Sequence, residues 1–301
     1  MRTSIVIASW NTRELLRACL DSVRRSRTRP LEAIVVDDAS ADGSADMVAS
    51  DFAEVVLLRQ DRNRGFAPSA NCGIERARGE WVLLLNADTE LDPDALGILE
   101  AWLEAEPRYG AAAPRLVHPD GSTQRACMAF PNLKTALFFG TPCERWWPES
   151  RELARYFMHD FDHAADRDVE QPPAACLLVR RALLRELGGL DQEMPLFFSD
   201  VDLSKRMAAR GLLTRFLATA RVVHHVGAST SQHPSRLAAW HADRLCYYRK
   251  HHGRLAGVWV KSCVLFAYAG FLAAQLGQRS RRAPSEAVGP VSRSLARFLL
   301  L

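Results

Sequence analysis

The sequence predicts an α/β protein with a mostly parallel central sheet and flanking helices. Two observations support this fold class. Short apolar, β-branched runs alternate with segments of helical periodicity in the first third of the chain, which is the pattern of βαβ units. Several of these runs also end abruptly at acidic or amide side chains. Ligands of open parallel sheets bind outside the carboxyl ends of the strands, so this fold would gather those polar groups around a ligand.

Length and composition define the broad class of the protein. At 301 residues, with 48% hydrophobic and 25% charged residues, the chain suits one α/β domain with a smaller appendage. Its net charge of +4 is too small to indicate a nucleic-acid partner. The seven cysteines are scattered and form no CxxC pair, which argues for reduced thiols in a cytosolic setting, without disulfides or a zinc site. No signal peptide is expected, because the N-terminus enters a strand directly.

The N-terminal elements follow from the alternation of strand and helix patterns. Strands are predicted at residues 4–10, 32–36, 54–58 and 81–85. Helices are predicted after Asn11, from near Ser44 and after residues 63–67. Asn11 stands three residues before Glu14, which resembles a capping box. The first helix then shows a buried stripe at helical spacing, formed by Leu15, Leu16, Cys19, Leu20 and Val23.

The predicted strand at residues 81–85 ends at Asn86 and Asp88. Because alternate residues of an extended segment point the same way, these two side chains are expected to face one ligand. Such hard oxygen donors suit Mg²⁺ or Mn²⁺ carrying a diphosphate. The alternative is a simple turn at the strand end, in which Asp92 and Pro93 open the next helix.

The strand ends carry acidic and amide groups where other nucleotide-binding proteins carry glycines. Neither GxGxxG nor GxxxxGK[ST] occurs, which argues against a dinucleotide site or a P-loop. Carboxylates repel a diphosphate unless a divalent cation lies between them, whereas they can accept hydrogen bonds from ribose hydroxyls. We therefore interpret Asp37 or Asp38 as a nucleoside contact and Asp88 as a metal ligand. The alternative for Asp37 and Asp38 is a solvated turn with an Asx cap.

An ordered set of motifs runs through residues 3–230. The segments are 4–11, 35–40, 63–73, 85–88, 119–122, 130–131, 188–191, 197–203 and 222–229. Together they resemble the GT-A fold of family 2 glycosyltransferases, especially the rhamnosyltransferase-like branch. No single motif decides this resemblance, and its specificity lies in their order. It implies a Rossmann-like catalytic domain and a set of residues that bind the sugar-nucleotide donor, namely Ser9, Asn11, Asp37, Asp38, Asn71 and Asn86.

The resemblance also implies that Asp200 is the catalytic base, with Ser199 and Asp202 on the acceptor side. Ser199 stands where the family has a glutamate. Because a neighbouring anion raises the pKa of a carboxyl group, its loss should leave Asp200 less basic. The family's proline between the metal-site residues is Ala87 here. Asp200 and Asp202 also begin a predicted helix with Leu203 and Met207 on its apolar face, so helix capping is an alternative role for one of them.

His224 and His225 end another predicted strand and are candidates for completing the metal site together with Asp88. Adjacent residues of a strand face opposite ways, so only one histidine can reach the site. The spacing to Gly227 and Ser229 favours His224.

The chain changes character near residue 231, which predicts a catalytic domain at 1–231 and a basic, apolar helical extension at 232–301. Residues 257–277 are nearly all apolar and, as a helix of about 31 Å, would just span a bilayer. Basic residues flank this segment on both sides, so the positive-inside rule gives a membrane-spanning helix no preferred orientation. We therefore expect a peripheral or re-entrant helix at the cytoplasmic face of the membrane, with lipid headgroups contacting Arg249, Lys250, Arg254, Arg279, Arg281 and Arg282.

The alternative for this segment is a helix packed on the catalytic domain or on a second subunit, as in a homodimer. Residues 283–301 are expected to form a flexible tail whose terminal leucines pack locally.

These expectations combine into an inverting glycosyltransferase of cell-envelope polysaccharide synthesis. It would use Mg²⁺ or Mn²⁺ to move a sugar from a nucleoside diphosphate donor to a glycan or polyprenyl-linked acceptor, without a nucleic-acid partner. The expectation that the sugar is rhamnose, from a dTDP-linked donor, depends on the resemblance alone. A nucleotidyltransferase is an alternative, although the loop at residues 10–12 lacks the glycines and cations that a triphosphate needs. A sugar-nucleotide-binding protein with little turnover is another alternative, because Ser199 replaces the glutamate that the family has beside the base.

Overall fold

The computed structural model describes residues 2–29, 31–226, 236–278 and 298. These residues form a nine-stranded sheet with helices packed against it. The strands are β1 (Thr3–Ser9), β2 (Leu31–Asp37), β3 (Val56–Arg59), β4 (Trp81–Asn86), β5 (Thr89–Leu91), β6 (Tyr109–Val117), β7 (Arg167–Val169), β8 (Cys176–Arg180) and β9 (Leu213–His224). The helices are α1 (Arg13–Arg25), α2 (Ser44–Asp51), α3 (Phe66–Arg76), α4 (Ala95–Ala105), α5 (Leu133–Phe138), α6 (Pro142–Trp146), α7 (Arg151–Tyr156), α8 (Arg181–Leu187), α9 (Ser199–Ala208), α10 (Arg236–His252) and α11 (Arg254–Gln278).

The sheet is mixed, so the prediction of a mostly parallel sheet is wrong for its second half. β1 pairs in parallel with β2 and β4, and β2 pairs in parallel with β3. β8 then lies antiparallel between β4 and β6, and β9 runs parallel to β6 but antiparallel to β5 and β7. The sequence could not indicate these directions, because a buried apolar strand has the same composition whichever way it runs.

The N-terminal βαβ units are confirmed, with one correction at the start of α1. This helix begins at Arg13, with Thr12 as its N-cap residue. Asn11 instead adopts a left-handed conformation, with φ at 52°. Its Oδ1 accepts the N–H of Ala41 at 2.7 Å, and its own N–H donates to Ser40 Oγ at 2.9 Å. The predicted capping box is wrong because Asn11 joins the loop after β1 to the loop after β2.

The two faces of the sheet are covered by separate hydrophobic clusters. Ile5 and Ile7 of β1 face one cluster, whereas Val6 between them faces the other, as the alternation of a pleated strand requires. α1 and α4 cover the first face, and α3 covers the second. A Cβ on Gly73 of α3 would lie 2.4 Å from Val6 Cγ1. Glycine at this position therefore allows α3 to pack closely on the sheet. The position of α3 in turn determines the position of the loop that precedes this helix.

A third hydrophobic cluster joins α10 and α11 to the segment around α9. Phe198 and Val201 pack in this cluster with residues of both C-terminal helices, namely Leu245, Tyr247, Tyr248, Ala256, Val260, Cys263 and Val264. One face of α11 is thus buried against the part of the protein that carries the sheet, as the alternative interpretation of this segment predicted. Within residues 2–226 and 236–278, no helix combines the length and the hydropathy needed to cross a membrane.

Several predictions for the C-terminal part fall on residues that the structure does not describe. These are the boundary at residue 231, the headgroup contacts of Arg279, Arg281 and Arg282, and the tail at 283–301 apart from Phe298, which is buried. Lys250 is described, and its ammonium group lies within 2.5 Å of Asp191 and 2.7 Å of Asp202. Lys250 therefore makes ion pairs within the protein.

Candidate active site

A cleft of about 260 Å³ lies at the carboxyl ends of β1, β2 and β4. Its walls come from the loops after these strands, from the segment just before β8 and from the start of α9. The predicted site residues that line it are Ser9, Asp38, Asn86, Ser199, Asp200 and His224. The cleft therefore brings together side chains that are far apart in the sequence, from Ser9 to His224.

Asp38 organises the loop of residues 63–67 on one side of the cleft. Its two carboxylate oxygens accept the backbone N–H groups of Arg64 and Gly65, each at 2.8 Å. Burial raises the pKa of Asp38, and these two N–H donors oppose the shift. Gly65 has φ at 93°, and a Cβ on it would lie 2.7 Å from the carbonyl oxygen of Pro195. Only glycine fits there, so this loop is held against the opposite wall of the cleft.

Three predicted donor-binding residues do not line the cleft and instead support its loops. Asn11 joins two loops, as described above. Asp37 is 4% exposed, and its Oδ2 accepts the N–H of Ser40 at 3.1 Å, so the predicted Asx turn is present but buried. Asn71 donates to the carbonyl of Leu190 at 2.8 Å and accepts the N–H of Leu190 at 2.9 Å. Both groups of its side-chain amide thus hold the loop before α9.

Asn86 and Asp88 do not face the ligand side by side. Ala87 and Asp88 form a turn between β4 and β5 rather than an extended segment, so the predicted alternation is wrong here. Asn86 lines the cleft, whereas the Asp88 side chain is 1% exposed. Its Oδ1 lies 3.6 Å from Nε2 of His224, which does line the cleft. Asp88 is therefore linked to the cleft through His224.

Gln124 fixes the orientation of the His224 ring, and the sequence analysis missed it because it belongs to no motif. Its Nε2 donates to the carbonyl of His224 at 2.7 Å, which turns its Oε1 towards Nδ1 of the ring at 3.0 Å. Since Oε1 can only accept, Nδ1 carries the hydrogen and Nε2 presents a lone pair towards Asp88. Burial lowers the pKa of His224, against the raising effect of the Asp88 charge, which favours the neutral ring.

Asp88 and His224 fit a divalent metal only as part of a larger ligand set. A carboxylate oxygen and an imidazole lone pair are both ligands that Mn²⁺ accepts. In the part of the chain that the structure describes, no group of three or more His, Cys, Asp or Glu side chains is placed to hold a metal. A diphosphate would have to supply further oxygens, as is common for Mg²⁺. His225, the third predicted ligand, does not line the cleft, because its Nε2 lies 3.0 Å from Glu90.

Asp200 lies on the opposite wall, in the first turn of α9. Its Oδ2 accepts the N–H of Ala174 at 3.2 Å, and its Oδ1 accepts the N–H of Val201 at 2.9 Å. Burial raises the pKa of Asp200, although these N–H donors lower it. Ser199 lines the cleft beside Asp200 but has no charge that could raise the pKa of Asp200. Burial raises that pKa instead. Leu203 and Met207 form the buried face of α9, as predicted.

Asp202 points away from the cleft and belongs to the framework. Its carboxylate is fully buried and contacts Arg206 Nε at 2.7 Å, Lys250 Nζ at 2.7 Å and His251 Nε2 at 2.8 Å. Burial alone would raise the pKa of Asp202, but the hydrogen bonds from His251 and Lys250, together with the charge of Arg206, lower it to about 2. The expected acceptor-side position is therefore not observed, because Arg206, Lys250 and His251 hold this carboxylate between α9 and α10.

Comparisons with known proteins agree with this geometry. A family model described as "Glycosyl transferase family 2" matches residues 4–188. Among curated proteins, the chain is 28% identical over 263 residues to the N-acetylglucosaminyl-diphospho-decaprenol L-rhamnosyltransferase of Mycobacterium tuberculosis, covering 82% of this chain and 84% of that protein.

Two solved structures show the fold. The mannosyltransferase PcManGT from Pyrobaculum calidifontis, in complex with GDP-Man and Mn²⁺, has a TM-score of 0.58 at 18% identity, covering 99% of this chain and 80% of that chain. TarS 1–349 of S. aureus, in complex with UDP-GlcNAc, has a TM-score of 0.54 at 14% identity, covering 99% of this chain and 81% of that chain. The fold is therefore the GT-A fold that the sequence motifs resemble.

Proposed function

The chain belongs to glycosyl transferase family 2, and we propose that it transfers a sugar, with inversion, from a nucleoside diphosphate donor to a hydroxyl group of a glycan or polyprenyl-linked acceptor. One observation carries this proposal. A single cleft has the Asp38 loop on one side and the half-buried Asp200 on the other, and His224 also lines it. An inverting transferase needs this division, because the base and the leaving group act on opposite faces of the sugar.

Asp200 acts as the base in this proposal. An acceptor hydroxyl oxygen forms a bond to the anomeric carbon while the bond from that carbon to the diphosphate oxygen breaks. The hydroxyl proton moves to Asp200, and the nucleoside diphosphate leaves with the electron pair of the broken bond. The raised pKa of Asp200 suits this role, because a more basic carboxylate accepts a proton more readily.

Asp38 and Ser9 are proposed to bind the nucleoside end of the donor, and Asn86 the part near the diphosphate. Asp88 and His224 would hold a divalent metal ion such as Mn²⁺ or Mg²⁺. When bound, such an ion supplies the positive charge that stabilises a leaving diphosphate. The PcManGT structure contains Mn²⁺, which supports this part of the proposal.

The donor sugar is proposed to be a deoxysugar such as rhamnose, from a dTDP-linked donor. The support is the name of the mycobacterial relative, an L-rhamnosyltransferase whose acceptor is N-acetylglucosaminyl-diphospho-decaprenol. At 28% identity over 263 residues, a relative suggests the class of the donor and of the acceptor rather than their identity. We propose cell-envelope polysaccharide synthesis as the process on the same basis.

We further propose a peripheral attachment to the cytoplasmic face of the membrane, through the outward face of α11. Leu255 is 84% exposed and Val258 is 63% exposed, although both are large and apolar. Trp146 of α6, which is 60% exposed, lies 5.8 Å from Phe266 of α11 and extends this surface. The sequence of residues 254–278 contains no acidic residue. Exposed tryptophans beside cations are typical of surfaces that contact lipid headgroups.

The experiment that tests the function is a donor screen followed by a transfer assay. Thermal unfolding is measured with dTDP-, UDP- and GDP-linked sugars, with and without Mn²⁺, because a ligand at a hundredfold excess over its Kd stabilises the fold by about 2.7 kcal/mol. The donor that binds is then mixed with a polyprenyl-diphosphate-linked N-acetylglucosamine. Release of nucleoside diphosphate that depends on the acceptor supports the proposal. Donor binding without transfer or hydrolysis would instead favour a sugar-nucleotide-binding protein.

A further inference from the structure

Residues 195–198, here called the bridging loop, connect the two walls of the cleft. The carbonyl oxygen of Pro195 accepts the N–H of Ala67 at 2.9 Å. Ala67 is close to Gly65, in the loop that Asp38 holds. At the other end, Phe198 adopts a left-handed conformation with φ at 60° and leads directly into Ser199 and Asp200. The position of Asp200 relative to the donor side therefore depends on the conformation of this loop.

A carboxylate from α10 holds the middle of the bridging loop. Oδ2 of Asp243 accepts the N–H of Leu196 at 3.0 Å and the N–H of Phe197 at 2.7 Å. Asp243 is 2% exposed and is not among the residues that line the cleft. Leu196 and Phe197 do line the cleft. Without the carboxylate, two backbone donors in a poorly solvated place would lose their acceptor, which disfavours this loop conformation.

The same helix also holds the residues that follow the bridging loop. Rings of α10 contact Phe198, with centroid distances of 5.9 Å to Trp240 and 5.6 Å to Tyr247. One turn further along α10, Lys250 and His251 bind Asp202 of α9. The bridging loop and the first turn of α9 thus contact α10 on both sides of Asp200. α10 itself contributes no residue to the cleft lining.

We propose that Asp243 is a positioning residue for the transfer reaction: by accepting both N–H groups of the bridging loop, it holds Asp200 at the place where the acceptor hydroxyl gives up its proton. This inference rests on the proposed role of Asp200 as the base. It also implies that α10, which lies beyond the matched family region at residues 4–188, is part of the catalytic unit. Sequence reasoning gave no indication of it, because Asp243 stands in an unremarkable helical segment.

The test compares three substitutions of Asp243 in the full-length chain. Asp243→Asn keeps a side-chain oxygen that accepts hydrogen bonds, so kcat should stay within about threefold of the wild type. Asp243→Ala removes the acceptor, and kcat should fall by about tenfold to a hundredfold, as expected when a reacting group is displaced by about 1 Å. The Kd of the donor should stay within about threefold in both variants, because Asp38 and its loop are retained. Asp243→Glu keeps the charge but moves the oxygens by one methylene, so kcat should also fall.

Glu32 provides a matched structural control. It is also a buried carboxylate that accepts a backbone N–H, from Arg78 at 3.2 Å, but it lies in β2 near the amino edge of the sheet, away from the cleft. Glu32→Ala should lower Tm while leaving kcat unchanged at temperatures where the variant is folded. If Asp243→Ala behaves in this way, the carboxylate only stabilises the fold and the inference is overturned. If Asp243→Ala does not fold, wild-type kcat in Asp243→Glu overturns it instead.

Asp200→Asn, assayed in parallel, separates this inference from the proposed function. Loss of transfer in Asp200→Asn together with unchanged kcat in Asp243→Ala would overturn the positioning role alone. Full activity in Asp200→Asn would overturn the base assignment, and with it the reason for positioning that residue.

Discussion

The chemistry of the cleft depends on how individual carboxylates are surrounded. Asp200 and Asp202 stand two residues apart on α9, yet their pKa values move in opposite directions. Burial raises the pKa of Asp200, whose contacts are backbone N–H groups. Around Asp202, the hydrogen bonds from His251 and Lys250 and the charge of Arg206 overcome its burial and hold its pKa at about 2. One carboxylate is therefore suited to accept a proton and the other to remain charged.

Replacing Asp200 by asparagine should separate binding from chemistry. Asp200→Asn keeps the size of the side chain but cannot accept the proton, and its single accepting oxygen keeps only one of the two hydrogen bonds from the N–H groups of Ala174 and Val201. We expect kcat to fall by about 10²–10⁴-fold, while the Kd of the donor is unchanged. In the wild type, kcat should decrease as the pH falls through the raised pKa of Asp200, because the protonated carboxyl is inactive. Steady-state kinetics and donor titration measure both effects. Transfer at the wild-type rate in the variant would rule out Asp200 as the base.

The metal site is tested by Asp88, with Glu90 as a matched control. Both are carboxylates close to a histidine, but Asp88 faces His224 at the cleft and Glu90 contacts His225 outside it. Asp88→Ala should remove the tightening of donor binding by Mn²⁺, whereas Glu90→Ala should keep it. Titration calorimetry with and without Mn²⁺ measures the difference. If Asp88→Ala still binds donor more tightly with Mn²⁺, the metal is held elsewhere.

Part of this site could be predicted at the residue scale. Asp38, Asn86, Asp200 and His224 were identified because polar groups at strand ends and in ordered motifs indicate a site. Asn71 was expected to bind the donor because of the family resemblance, and only its two hydrogen bonds with the backbone of Leu190 show that it supports a loop. Gln124 and Asp243 were missed because they act through tertiary contacts that have no local pattern.

The elements show where local sequence information is sufficient. β1, β2 and β4 were predicted because their apolar runs are bounded by polar strand ends, and the stripe of α1 predicted its buried face. The direction of β8 could not be predicted, because it depends on a crossover rather than on composition. The turn after Asn86 agrees with the alternative interpretation of this segment and not with the extended one. Its geometry is set by the pairing of Thr89 with His224, which lies far along the chain.

The junction of α9 with α10 should be sensitive to acid. An aspartate has a pKa of about 3.9 when unfolded, and that of Asp202 is about 2 in the fold. Because the folded-state pKa is lower, the ionised carboxylate stabilises the fold at any pH above about 4. By linkage this amounts to about 2 to 3 kcal/mol, and it is lost as the pH falls towards 2.

Asp202→Asn should therefore lower the free energy of unfolding near neutral pH, and the difference from the wild type should shrink below a pH of about 4. Urea unfolding of both proteins at several pH values provides the measurement. A difference that stays constant down to a pH of about 3 would show that the ion pairs of Asp202 do not contribute in this way.

At the scale of the whole molecule, α11 has two different faces. Its inward face belongs to the hydrophobic cluster behind α9, so the helix is part of the folded protein. Its outward face exposes large apolar side chains that a solvated surface would not favour. Apolar composition alone could not distinguish a membrane helix from a helix packed on the domain, because both require a similar hydrophobic run.

Charges on the outward face should prevent membrane binding without affecting the cleft. We expect the wild type to sediment with vesicles that contain anionic lipid, and Val258→Glu to remain in the supernatant with unchanged donor Kd. Leu213→Glu, at an apolar position of β9 that is 40% exposed, is the control and should sediment like the wild type. If the wild type does not bind vesicles but Val258→Glu changes its oligomeric state, α11 is a dimer helix instead.

In the proposed mechanism, one cleft holds a base and a leaving group on opposite sides of the sugar. The most direct test is the anomeric configuration of the product, determined by NMR after transfer by the wild-type protein from a donor of known configuration. A direct displacement with Asp200 as the base predicts that the configuration at the anomeric carbon is inverted. A product that retains the configuration of the donor would contradict this mechanism.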